Sequence, residues 1–400
     1  MASAEHGARS AAQASSVQDA RPVVSRRAPR GQGGAAPRAV SFAPPGSSPF
    51  VSEVKREVAE YFASRGLSDK ANAAMIAKTV IMLALVVGPY ALLISGVATG
   101  WAALVCCVVM GVGVAGVGFC VCHDAIHGAY SSRGWVGRSL GLMFDVLGAS
   151  STLWRLTHNQ VHHTFTNLDG LDEDIVATPI VRFSPGTPRR GIHRWQQWFA
   201  WPLYSLGTLN WILAKDYRDF FRAKLGPYTN RRWTWTGLVG LLLGKAINCS
   251  WSIVLPLLLL DVTVGQFLLG FLAMHLTAGM ILAVTFMMGH VVEGPDFPTP
   301  ALDGSIGDAW LVHQVRTTAD FARKNRLVTW YVGGLNYQIE HHLFPRVCSV
   351  HYPAISPIVE ACARRHGIPY HDSPTLRAAL ASHWRHLKHL GRHDGLPSPA

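Results

Sequence analysis

Four long stretches almost free of charge, set as two close pairs, constrain this chain more than any other feature. Residues 74–100 carry no charge after Lys78, and residues 101–121 carry none at all. A second pair, 237–260 and 262–289, contains Lys245 as its one charge, with Asp261 between the two members. Each stretch reaches the roughly 20 residues needed to cross a bilayer as a helix. The short connections make each pair a helical hairpin, so the expected fold is an all-α integral membrane protein with four transmembrane helices. Only 15% of the residues are charged and 49% are hydrophobic, in keeping with that class.

Charge placement orients the hairpins. Their tight connections lack Lys and Arg, whereas Arg133, Arg138, Arg155, Arg189, Arg190 and the basic run from Lys215 to Arg232 lie on the other side. The positive-inside rule then puts both termini and the long middle segment in the cytoplasm. The net charge of +12 sits outside the apolar runs, as expected beside anionic headgroups, and no nucleic-acid partner is implied. Seven cysteines without a CxxC pair fit a reducing compartment and argue against a disulfide scaffold or a zinc ribbon. The composition suggests a high-GC bacterial source, hence the bacterial inner membrane, with the endoplasmic reticulum as the eukaryotic equivalent.

Three regions are expected. Residues 1–48 are rich in Ala, Ser, Gly, Pro and Arg and form a disordered basic tail; a basic tail beside a membrane is favoured over an organelle transit peptide. Residues 49–372 are the working domain, opening with an amphipathic helix over 52–68. Residues 373–400 form a second basic tail, in which His383, His386, His389 and His393 are read as a solvated surface. Trp195, Trp198, Trp201, Tyr204 and Trp211 read as an interfacial aromatic belt, where a shallow fifth membrane segment fits. His275 lies in mid-helix, where packing or a polar contact between helices is the better reading.

Histidine is the anomaly. There are 19, and three clusters fall on the predicted cytoplasmic side: His123-Asp-Ala-Ile-His127, His158-Asn-Gln-Val-His162-His163, and Gln338-Ile-Glu-His341-His342. Spacing of i, i+4 sets two imidazoles on one helix face, where they can grip one ion. An adjacent pair points two ways and can serve two ions. His290, at the cytoplasmic end of the fourth apolar stretch, completes a set of eight imidazoles. Eight exceeds the need of one four-coordinate zinc, so two metals are the economical reading. Imidazole suits iron, copper, nickel and zinc alike. Iron is preferred, because a site at the membrane face implies an apolar substrate, and oxidising it requires O₂ activation, which zinc does not perform. Asp124, Asn159 and Glu340 are candidates to orient the rings. The acidic run Asp169, Asp172, Glu173, Asp174 reads equally as ring partners, as a dock for a cationic electron donor, or as a solvated loop.

These clusters resemble the three histidine boxes of the membrane fatty acid desaturase family. The second spans Trp154 and the run HNQVHHTFTN, the third is GGLNYQIEHHLFP over 333–345, and 351–370 is also similar. The Gln of the third box resembles the acyl-lipid and front-end members. The resemblance, covering roughly residues 50–372, implies a cytosolic helical cap holding a di-iron site over the membrane helices. It also implies O₂-dependent introduction of a cis double bond into a fatty acyl substrate carried on CoA, a carrier protein or a lipid. Many front-end members carry a fused cytochrome b5 domain, whose haem signature is not present here, so electrons are expected from a separate ferredoxin or cytochrome b5. Gln338 and His313 are the candidates for an additional ligand. The rival reaction is hydroxylation on the same scaffold, told apart by product mass. A transporter would need more polar residues within the apolar helices than Lys245 and His275.

Overall fold

The computed structural model describes residues 40–175, 179–229, 231–232 and 234–396. The expected N-terminal tail lies mostly outside the described residues. From Val40, however, the chain is ordered: strand β1 (Ser41–Ala43) pairs in parallel with β2 (Ser305–Ala309), and Phe42 packs on the His313 ring at 5.0 Å. Helix α1 (Pro49–Arg65) follows, close to the amphipathic segment read from sequence.

Among the described residues four helices are long and apolar enough to cross a membrane: α2 (Ala73–Ile94), α3 (Gly100–Ile126), then, after the short helix α4 (Gln196–Ser205), α5 (Trp235–Leu259) and α6 (Val264–His290). Their bounds match the two hairpins expected. Helix α3 is the axis, packed against both α2 and α6. It is 61% buried over its apolar window, against 17–22% for the other three, whose outer faces meet lipid. The chain is thus an integral membrane protein. Because both hairpin turns lie at one end of the bundle, the last residues of α3 and α6 emerge together at the other.

Lys245 does not reach for the lipid surface. Its ammonium turns inward to the carbonyls of Gly148 (2.7 Å) and Trp211 (2.9 Å) and to the Asp216 carboxylate (2.6 Å). A charge at membrane depth is tolerable only with such partners. His275 likewise faces a neighbouring segment, its Nδ1 at 3.2 Å from the Thr208 hydroxyl.

Over the emerging ends sits the cap: helices α7 (Trp310–Arg316), α8 (Gln338–Leu343), α9 (Tyr352–Arg365) and α10 (Leu376–Leu390), with a parallel pair of strands, β3 (Ala319–Phe321) and β4 (His371–Ser373). Phe50, Val54, Val58 and Phe62 recur every four residues along α1 and bury one stripe against Leu343, Tyr352, Ile355 and Val359. Each such side chain contributes about 1.5–3 kcal/mol of burial. This clamps α1 across the back of the third histidine box.

Two expectations are corrected. The aromatic belt divides: Trp195 and Trp198 are exposed, but Tyr204 is buried and Trp211 packs edge-on to Trp154 at 5.6 Å, beside the second box. The C-terminal segment is no solvated tail either. In α10, Ala379, His383, His386, Leu387 and Leu390 are buried. His386 stacks on Phe297 at 5.7 Å. Burial drives the His386 imidazole down to about 3 and His383 to about 4, so both are neutral.

Candidate metal centre

Each box is placed by a different device. The first lies at the end of α3, where the helix widens into a π-helical turn over Gly118–His123, a distortion that recurs at functional sites. His123 and His127 emerge with ring centroids 4.6 Å apart. The second box sits in the helical run 151–165, capped by the Ser150 hydroxyl, which accepts from the Leu153 amide. The Ser150 amide donates to Asp216, the partner of Lys245, so the membrane-buried lysine helps fix where this run begins. Residues Arg155–His162 again form a π turn.

The third box begins at Gly333 and Gly334, both in the left-handed region (φ +63° and +75°). A Cβ at Gly333 would stand 3.0 Å from the Phe119 carbonyl oxygen, and one at Gly334 2.7 Å from that of Ser349. Glycine at 333 lets this turn lie flat on the π turn of the first box, and glycine at 334 lets it meet the Ser349 backbone. Helix α8 then carries His341 and His342 into the site.

The eight imidazoles converge. His123, His127, His158 and His341 form one group, and His162, His290 and His342 a second; within each group the candidate donor atoms lie within 4.8 Å of one another. His163 stands between them, within 4.8 Å of His341 and His342 and with its ring 4.7 Å from His127. The i, i+4 pair of the first box therefore shares one group. That of the second box is divided between the two groups, although His158 and His162 also lie within 4.8 Å of one another with Asp174 and their rings stack at 5.0 Å.

Four rings are held through Nδ1. Asp174 takes His158 (2.9 Å), Asp172 takes His162 (3.0 Å), Gln314 takes His342 (2.8 Å) and the Tyr352 hydroxyl meets His341 (3.2 Å). The Nε2 atoms of all four are buried without a hydrogen-bond partner, as are Nε2 of His127 and both ring nitrogens of His163 and His290. Buried polar atoms left unpaired in such number are rare in folded proteins. Burial, reinforced by mutual repulsion, holds His127, His158, His163, His341 and His342 well below the usual imidazole range, hence neutral. In His162 burial acts the same way, but the Asp172 carboxylate outweighs it. Neutral rings with fixed tautomers and free nitrogens facing one another are the donor set that borderline transition metals require.

Of the residues expected as ring partners, two of the acidic run bond rings directly, while Asp124, Asn159 and Glu340 bond elsewhere. Asp124 accepts from the Ser349 amide (3.0 Å) and hydroxyl (2.8 Å) and lies 3.6 Å from His123, beyond hydrogen bonding. Asn159 donates to the Ile126 carbonyl (3.1 Å), joining the first two boxes through backbone. Glu340 turns away to the Tyr370 hydroxyl (2.8 Å), which also meets Asp320 at 2.6 Å. Asp172 and Asp174, of the acidic run, hold the rings instead, while Glu173 pairs with Arg222. Gln314 and Tyr352 carried no sequence signal, being far from the rings they meet in sequence. His313 joins none of the groups among the described residues and faces Phe42. Gln338 packs on Gly289, whose Cβ would lie 2.5 Å from its Cγ, at the edge of the second group.

Fold and site together define a class: an integral membrane protein with a buried polyhistidine centre where its apolar helices meet a cap. The fatty acid desaturase family model matches residues 99–374, and the chain belongs to that family. It is 37% identical to the sn-1 linoleoyl-lipid 6-desaturase of Arthrospira platensis over 85% of this chain and 92% of that one. Against the enzyme of the same name from Synechocystis, identity is 36% over 85% and 94%. Against the acyl-lipid (8-3)-desaturase of Physcomitrium patens it is 36% over 86% and 72%. The protein is accordingly an oxidoreductase that desaturates a fatty acyl or lipid substrate, and the hydroxylase and transporter readings fall away.

Proposed function

We propose that the two imidazole groups hold two iron ions, with His123, His127, His158 and His341 on one, His162, His290 and His342 on the other, His163 between them and Gln338 adjoining the second. The observation that carries this reading is the inward convergence of unpaired nitrogens on rings fixed from outside by Asp172, Asp174, Gln314 and Tyr352. Bound iron would supply the reductive activation of O₂ that an unactivated C–H bond requires. In the net reaction one hydrogen leaves each of two adjacent methylenes, and these two hydrogens, together with two electrons from a donor and two protons, convert O₂ to two waters.

The chain's own part is to position and to exclude water. Trp154 stacks on His158 at 4.7 Å and Phe286 lies 5.1 Å from His162, so an apolar wall borders the centre on its membrane side. An acyl chain held against it would present one C–H bond, which is catalysis by positioning. The named relatives favour a lipid-borne acyl chain and, in the two most similar of the three described, a double bond at position 6. We place the cap and both termini in the cytoplasm of a bacterial inner membrane, on the basic side of the hairpins, with electrons from a separate ferredoxin or cytochrome b5.

The test is expression in a host with a compatible reductase, with acyl chains profiled by mass spectrometry on intact lipids. New double bonds in lipid-bound chains are expected, and they should vanish in a His162→Ala, His341→Ala double variant. Products appearing first on a thioester would displace the lipid-borne substrate; a purified wild-type protein without iron would sink the metal assignment.

A further inference from the structure

We propose that helix α10 is a positioning element of the metal centre, acting through His383 on the chain that leaves His290. The inference rests on the metal-binding reading above. It concerns a helix beyond the family match, which stops at residue 374.

Helix α6 ends at His290. The Val291 amide makes the last helical bond, to Met287 (2.8 Å), and the backbone then leaves helical geometry (φ −109°, ψ 62°). Beyond a helix end the polar backbone groups need outside partners, and α10 supplies them at two residues, Val291 and Glu293. His383 Nδ1 lies 2.6 Å from the Val291 carbonyl oxygen, the Glu293 amide donates to the Ser382 hydroxyl at 3.0 Å, and Arg385 grips the Glu293 carboxylate at 2.6–3.0 Å. A carbonyl only accepts, so Nδ1 carries the proton and Nε2 accepts from the Tyr204 hydroxyl at 2.9 Å. His383 is therefore bonded on one side to the chain after His290 and on the other to α4, which packs along α6.

His290, like His163, has no hydrogen-bond partner on its ring to fix it. His158, His162, His341 and His342 each have an Nδ1 partner, whereas neither nitrogen of His290 has a well-formed bond, although Gln338 and the Thr317 backbone are near. Its orientation is set by its backbone, held at its own carbonyl by Asn167 Nδ2 (3.3 Å) and at the next by His383. A helix that merely covered apolar surface would need Ala379, Leu387 and Leu390, but not three polar bonds converging on 291–293.

Metal per chain after loading full-length, detergent-purified protein with Fe(II), and the visible spectrum of the Co(II) form, test this. The wild type is expected to hold two ions. His383→Ala should fall to about one, the weaker site losing about 10–100-fold in affinity, as when a partner of a ligand is removed. His383→Asn, whose amide nitrogen replaces Nδ1, should recover most of that loss. Leu387→Ala, a packing change on the same helix, should lower thermal stability and keep both ions. If His383→Ala does not fold, Tyr204→Phe and Ser382→Ala serve, with smaller losses at the same site. Two ions at wild-type affinity in His383→Ala would overturn the inference alone. Equal ion loss in Leu387→Ala would reduce α10 to general packing. A wild type without metal would overturn the metal reading and this one together.

Discussion

The two imidazole groups are built in contrasting ways. In the first, His123 and His127 ride the end of α3, His158 follows from a run tied to them by Asn159, and His341 arrives on a turn laid directly on that helix end. In the second, His162, His290 and His342 come from three separate segments, and the bonds that hold them reach far along the chain, as from Asn167 to His290 and Thr317. Both groups draw on three segments, but the first takes two of its four rings from one helix end, whereas the second takes a single ring from each and should be the easier to disturb.

The sharpest way to break this contrast is to remove one ligand from each group. His341→Ala, bordering both groups, should abolish desaturation and deplete both ions, whereas His290→Ala should abolish activity yet keep one ion, as metal analysis of the purified proteins would show. Equal depletion would mean that the groups are not separate sites. Next come the ring partners. Asp172→Asn should cost 10–100-fold in affinity or activity, the usual effect of losing the partner of a ligating histidine. Gln314→Leu should cost less, because the Thr166 hydroxyl stands 3.3 Å from the same His342 nitrogen.

Asn167 has φ of +57°, and its side-chain amide donates towards the carbonyls of His290, Asp296 and Thr317. Asn167→Gly preserves the backbone conformation but leaves buried carbonyls unpaired, so about 1–3 kcal/mol of stability should go. The loss should be read first in the second group, by protection of amides near 290. The smallest effect concerns pH. Buried neutral His383 and His386 have folded values of about 4 and 3, below the ordinary 6.5, so the unfolded chain binds more protons in acid. Their contribution is complete above pH 6.5 and is lost as pH falls towards those values, with each costing about 1 kcal/mol between pH 6.5 and 5.5. Faster hydrogen exchange in α10 over that interval, absent in His386→Leu for its share, is the check.

The same contrast explains what the sequence disclosed. Membrane helices and histidine boxes are local patterns, of uncharged length and of i, i+4 spacing, and both are plain in the chain. Residues that orient the rings are set by chain reversal instead: Asp172 and Asp174 return 10 and 16 residues after the histidines they hold, and Gln314 lies 28 residues from His342. Asp124, Asn159 and Glu340 sit beside the ligands in sequence, yet a helix sends neighbours to other faces, so adjacency misled. Helix α10 was hidden by its composition. Its Arg and His content reads as solvated, but Ala379, His383, His386, Leu387 and Leu390 recur at helical spacing, and that stripe was the available signal.

The flat contact of Gly333 and Gly334 on the neighbouring backbone has a consequence for motion. With no side chain between the turn and the end of α3, little can give there, and the third box cannot slide relative to the first without backbone collision. Substrate would then enter and leave by movements elsewhere, along lipid-facing α5 or around α4, while the first and third boxes stay fixed to each other.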